Sequence, residues 1–299
     1  NSRERKMLAY LLMSGVSAGA LYAMVAIGLV LVYRSTGHIN FSHGELFMFG
    51  GFIAYTFFVI MGIPYFLSLA LAVVGGFVLG VISDRTVYRP LIKAPPLTMV
   101  LATVGFSFLL KGIARLFWGA REGGDYLAFP AALDTTPIAI GSVNVFPQQL
   151  LVLGGAAVFV VGFTIFFRMT KAGKMMQATA ENPTASYLSG IHVERVYTMT
   201  WGTGAAIAAA AAVLMAPLTL LSPDVGFQLL LKAFAATVLG GLGSMPGAII
   251  GGLLVGIMES LGGGYIHSGV QDVSAFIVII VVLVFRPSGL FGTRNIRDT

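Results

Sequence analysis

Four polar side chains, Asn40, Ser42, His43 and Glu45, stand directly before an apolar run that begins at Leu46. An amide, a hydroxyl, an imidazole and a carboxylate this close to hydrocarbon suit the lining of a solute path, because an ionisable residue in a membrane segment marks function by default. They also have a local use: Ser42 can cap a helix over Leu46 to Met61, with Glu45 at its third position. A second group, Gly240, Gly241, Gly243 and Ser244 in the run Gly240-Gly-Leu-Gly-Ser-Met-Pro-Gly247, offers bare backbone amides to the same path. Those glycines equally suit close helix packing, as small residues do in membranes. No catalytic or metal-ligating set is read. There is no His-Glu-x-x-His pair, no cysteine, and the aspartates at 84, 125, 134, 224, 272 and 298 are isolated.

The elements that must position these groups are membrane helices. The 299 residues are 57% hydrophobic and only 10% charged, with 38 glycines, against about 25% charged for a soluble domain. Met7 to Tyr33 carries no charged residue, and at about 1.5 Å per residue it reaches about 40 Å, enough to cross a bilayer. The apolar run continues past any signal-peptide cleavage point. Leu46 to Ser83 is broken by Gly62-Ile-Pro64, a turn between two helices. Further spans are expected at Leu97 to Trp118, Phe146 to Phe167, Tyr197 to Leu221 and around Val273 to Phe285. The fold class is therefore an all-α polytopic membrane protein, a single transmembrane domain over 1–299 with about seven to nine transmembrane segments. The net charge of +6 belongs to basic loops facing anionic lipid, and no nucleic-acid partner is read from it.

Basic residues gather at Arg3, Arg5 and Lys6, at Arg85, Arg89 and Lys93, at Arg168, Lys171, Lys174 and Arg195, and at Arg286, Arg294 and Arg297. The positive-inside rule makes these segments cytoplasmic, with 168–195 an internal loop and 119–145, including Arg121, Glu122 and Asp125, the main external loop. With the N-terminus inside, Arg34 to Gly62 and Ser222 to Gly269 must each enter and leave on one side, as two broken or re-entrant helix pairs in a pseudo-repeat. With it outside, the first stretch needs only a plain loop. Irregular backbone at membrane depth survives only inside protein or beside an aqueous cavity, which is the architecture of a translocation path. Lys111 and Arg115 are expected to snorkel to the external interface. Lys232, Glu259, His267 and Asp272 are expected near an interface, with an ion pair or a proton relay among them as the alternative.

Within the internal loop, Asn182 then Pro183 reads as a helix N-cap and first position, and Gly190 as the stop. A short amphipathic helix there suits a soluble partner, or lies on membrane lipid.

Four runs carry a resemblance: Tyr33 to Glu45, Ala178 to Ile191, Val238 to Ala248 and Phe285-Arg-Pro-Ser-Gly-Leu-Phe-Gly292. Together they resemble the inner-membrane permease subunits of branched-chain amino-acid ABC importers. The resemblance implies a multi-pass protein of the bacterial inner membrane that pairs with a second related permease subunit, two cytoplasmic ATPase subunits and a periplasmic substrate-binding protein. It implies no cofactor on this chain, with ATP and Mg held by the ATPases. It also implies that Glu181, Asn182, Pro183, Ala185 and Gly190 form the ATPase-coupling segment, although the Glu-Ala-Ala triplet of other importers is absent. The substrate it implies is a branched-chain or other apolar amino acid, with urea or a short amide as the alternative. A passive channel would use broken helices in the same way but needs no coupling helix.

Overall fold

A computed structural model describes residues 2–119, 126–140, 143–286 and 288–292. The loop charges Arg121, Glu122 and Asp125, the terminal Arg294 and Arg297, and the side chains of Arg3 and Asp272 lie outside the described residues. Eleven α-helices follow one another among them: α1 (Ser2–Thr36), α2 (His43–Tyr55), α3 (Tyr65–Ser83), α4 (Pro96–Ala114), α5 (Pro147–Met169), α6 (Lys171–Glu181), α7 (Pro183–Leu188), α8 (Val193–Met215), α9 (Val225–Gly240), α10 (Met245–Tyr265) and α11 (Gly269–Phe285). Seven helical stretches are long and apolar enough to cross a membrane, and Val225–Gly240 and Val273–Phe285 are shorter apolar helices. The protein is thus all-α and polytopic, as its composition requires. Within 119–145, Ile138–Ile140 pairs antiparallel with Val143–Val145.

Both stretches expected to break leave the helix: residues 37–42 separate α1 from α2, and residues 241–244 separate α9 from α10. Gly62, at φ 68°, turns the chain between α2 and α3. Three helices end in π-helical turns, Thr56–Ile60 after α2, Asp84–Tyr88 after α3 and Arg115–Gly119 after α4, and such turns gather at functional positions.

The chain divides into two compact units. The first comprises 1–30, 131–157 and 231–299. Here α1 packs on α10 with almost no side chain between: a Cβ on Gly19 would lie 2.7 Å from the Leu253 Cα, and one on Gly256 would lie 2.3 Å from the Gly19 nitrogen. Lipid supplies no hydrophobic drive between helices, so dispersion at close backbone approach does the work.

The second unit comprises 31–130 and 158–230. Its centre is α8, buried continuously from Ala208 to Leu214. Alanine at Ala205 and Ala209 admits α2 and α3, and a Cβ on Gly50 would lie 2.3 Å from the Ala209 Cα. The end of α1 belongs to this unit: Val32 joins Tyr88, Met99 and Trp201 in one buried cluster, and the Ser35 hydroxyl accepts from Thr200 at 3.5 Å. Thr36 therefore lies at the same end as Arg89, with which it lines one small cavity. A plain loop then suffices to reach α2.

Candidate functional site

The loop before α2 is held by one oxygen. Asn40 Oδ1 accepts from the Ser42 amide (2.9 Å), the Ser42 hydroxyl (2.8 Å) and the Tyr88 hydroxyl (2.9 Å), and Ser42 Oγ lies 2.5 Å from the Tyr88 oxygen. Tyr88 in turn lies flat on Trp201, with ring centroids 3.8 Å apart and planes 8° from parallel. Ser42 occupies the N-cap position of α2 but makes no side-chain cap bond, because its hydroxyl is turned to Asn40 and Tyr88. Asn40, Ser42, His43 and Glu45 are all buried, with at most 1% exposure. Asn40 and Ser42 share one polar knot. Sequence reading missed Tyr88, whose only signal is an aromatic residue among the basic residues after α3.

From Glu45 a line of alternating charges runs to the surface. Lys111 Nζ lies 3.6 Å from Glu45 Oε1 and 3.4 Å from Asp224 Oδ1, and Arg115 reaches Asp224 Oδ2 at 3.0 Å. Arg115 is half-exposed. Lys111 is only 13% exposed and turns inward, because a buried carboxylate without a cation would cost several kcal/mol. The first turns of α2 and α9 touch at Gly44 and Gly226, where a Cβ on Gly44 would lie 2.1 Å from the Gly226 carbonyl oxygen.

The second group belongs to the first unit. Gly240 and Gly247 bring the end of α9 against the start of α10, each leaving no room for a Cβ on the other. Gly241 and Gly243 turn the chain at φ 104° and 100°, a region open chiefly to glycine. Ser244 caps α10 by accepting from the Gly247 amide at 3.1 Å. Carbonyls freed at the end of α9 find donors in the C-terminal run: Leu290 N–H reaches Leu239 O at 2.8 Å and Phe291 N–H reaches Gly240 O at 3.0 Å. Two of the four family-like runs, 238–248 and 285–292, are therefore one structural feature.

Further along α9 and α10 from this turn lies a cluster that sequence reading placed near an interface. Glu259 on α10 takes Lys232 of α9 at 2.5 Å on one oxygen and the Tyr22 hydroxyl of α1 at 2.8 Å on the other. Glu259 and Tyr22 are buried, at 8% and 5% exposure. His267 instead closes a local turn, its Nδ1 accepting from the Gly269 amide.

In the 168–195 loop, Asn182 caps α7 by accepting from the Ala185 amide at 2.9 Å, with Pro183 at the first helical position. Gly190 ends it at φ 84°. Glu181 closes the preceding helix α6, so the segment from Glu181 to Gly190 is split at Asn182. Tyr187 and Leu188 stand out at 71% and 80% exposure, beside an open groove lined by Pro183, Thr184, Tyr187, His192, Glu194 and Arg195.

Residues 11–285 match the model of the family described as "Branched-chain amino acid transport system / permease component". The chain is 33% identical, over 96% of both proteins, to the high-affinity branched-chain amino acid transport system permease protein BraD of Pseudomonas aeruginosa. It is 34% identical to the corresponding LivH of Escherichia coli over 95% of both, and 29% identical to a probable LivH of Methanocaldococcus jannaschii over 91% of this chain and 89% of that protein. With its capped loop helix and this match over nearly its whole length, the chain belongs to the branched-chain amino acid transport system permease family.

Proposed function

We propose that this chain is the transmembrane permease subunit of an ATP-driven ABC importer of the bacterial inner membrane, forming the path for branched-chain or other apolar amino acids. The observation that carries the reading is the 168–195 loop, in which a capped α7 presents Tyr187 and Leu188 to solvent between two long apolar helices. Two cytoplasmic ATPase subunits dock there, a second related permease completes the path, and a periplasmic binding protein delivers the substrate. ATP and Mg reside on the ATPases. Glu181, Asn182, Pro183, Ala185 and Gly190 set the shape of the coupling segment.

The route runs along the two broken segments. Asn40, Ser42, His43 and Glu45 border it, as do Gly240, Gly241, Gly243 and Ser244. Their burial fits a closed route, in which polar groups bond to one another until helix movement frees them. An aliphatic zwitterion needs only brief solvation of its charged ends by neutral amides and hydroxyls, and weak sites let it leave.

The test is to purify the tagged chain from its membrane with and without Tyr187→Asp, Leu188→Asp. Two ATPases and a second permease should accompany the parent and be lost from the variant. Proteoliposomes of the complex with its binding protein should take up labelled leucine, and not urea, on addition of ATP. A chain that isolates alone, or flux indifferent to the loop substitutions, would overturn the reading.

A further inference from the structure

The first three turns of α8 present Glu194, Thr198 and Trp201, spaced i, i+4 and i+7 and thus on one helix face. That face meets the π-helical turn after α3. Arg89 donates to the Glu194 carbonyl at 3.1 Å and to Thr198 Oγ1 at 2.5 Å, and Thr198 donates to Asp84 Oδ2 at 2.7 Å. One turn further, Tyr88 stacks on Trp201 and donates to Asn40. The π turn is closed by the Arg89 amide on the Asp84 carbonyl, five residues back. Asp84, Tyr88 and Thr198 are buried, so their bonds do not exchange readily with water. The same α8 starts at Val193, directly after the α6–α7 loop.

We infer that the Asp84–Tyr88 turn is the positioning element that transmits movement of the cytoplasmic loop to the break before α2. Arg89 and Asp84 grip the start of α8, and Tyr88 passes its displacement to Asn40 and Ser42. This rests on the importer reading and names the residues through which that importer is coupled. A turn of α8 about its axis moves Glu194, Thr198 and Trp201 together, because they share a face. The stacked ring must follow or lose its partner, and Asn40 Oδ1 then loses one of its three donors. Two discrete bonding arrangements of one buried oxygen are what a transmitted switch requires.

The experiment uses the complete complex, with its ATPases and binding protein, in proteoliposomes. It reads both ATP hydrolysis and amino-acid uptake. Tyr88→Phe keeps the ring on Trp201 and removes only the hydroxyl. It should lower uptake per ATP by about fivefold, the weight of one buried hydrogen bond, with the uptake KM, the ATPase rate and assembly unchanged. Thr198→Val, at the other end of the chain of bonds, should uncouple in the same direction. A parental uptake-to-ATP ratio in both Tyr88→Phe and Thr198→Val overturns the inference, as does an equal loss of uptake and hydrolysis. If neither variant assembles, the residues are structural and the inference falls. If the parent complex itself hydrolyses ATP without moving amino acid, the importer reading fails first.

Discussion

The Lys232–Glu259 pair sets a measurable asymmetry between breaking a buried ion pair and removing it. Glu259→Gln keeps the shape of the side chain and an acceptor for Tyr22. It leaves the Lys232 ammonium with only the Tyr22 hydroxyl at 3.3 Å and the ring face at 5.5 Å. An uncompensated buried charge destabilises by about 3–5 kcal/mol. Lys232 keeps 22% of its side-chain surface in solvent, so water relieves part of that and the expected loss is at the lower end, about 3 kcal/mol. Lys232→Met strands the deeper Glu259 carboxylate with one hydroxyl, and its loss should approach about 5 kcal/mol. With both substitutions together no charge remains, and stability should return to within about 1 kcal/mol of the parent. The assay is equilibrium unfolding by SDS in mixed micelles, followed by far-UV circular dichroism for all four proteins. A double variant as unstable as the sum of its parts would show that the two groups act independently and would refute the argument.

Gly240→Ala should abolish stable folding, because its Cβ would sit 2.1 Å from the Gly247 carbonyl oxygen, whereas Gly105→Ala, which meets nothing within 4 Å, should be neutral or slightly stabilising. Thermal inactivation of detergent-solubilised protein separates the two. Asn182→Ala should cost α7 about 1 kcal/mol through loss of its cap, read as faster amide exchange over 183–188 with α8 unaffected. Deleting residues from 288 onward should leave the Leu239 and Gly240 carbonyls unpaired and lower stability by about 2 kcal/mol, seen as an earlier SDS midpoint than in a chain ending after 292.

What was legible in the sequence was what neighbours in the chain decide. Apolar run length places the helices, Gly62 and Gly240 to Gly247 place the breaks, and Asn182 with Pro183 and Gly190 places α7. What was not legible depends on partners far apart in the chain. Lys111 alone looks like a snorkelling lysine, and only the fold shows Glu45 beneath it. Lys232 and Glu259 look interfacial until α9 folds back on α10 and Tyr22 arrives from α1. Ser42 has the spacing of a cap, yet a tyrosine 46 residues away claims its hydroxyl. The π-helical turns leave no residue signature, since their extra residue is accommodated by packing around them.

The order of the units along the chain has a consequence for biosynthesis. Every residue of the second unit has been made once Leu230 is synthesised, whereas the first unit draws on 1–30, 131–157 and 231–299. Tyr22 enters the membrane 237 residues before its partner Glu259 exists. At about 5–20 residues per second that is a wait of roughly 12–50 s. During it the glycine face of α1 lacks α10, and the Tyr22 hydroxyl lacks its carboxylate. The nascent first helix must therefore be sheltered by the insertion machinery or by lipid headgroups until α9 and α10 emerge, so ribosome pausing after Leu230 would extend the interval in which this subunit is open to degradation.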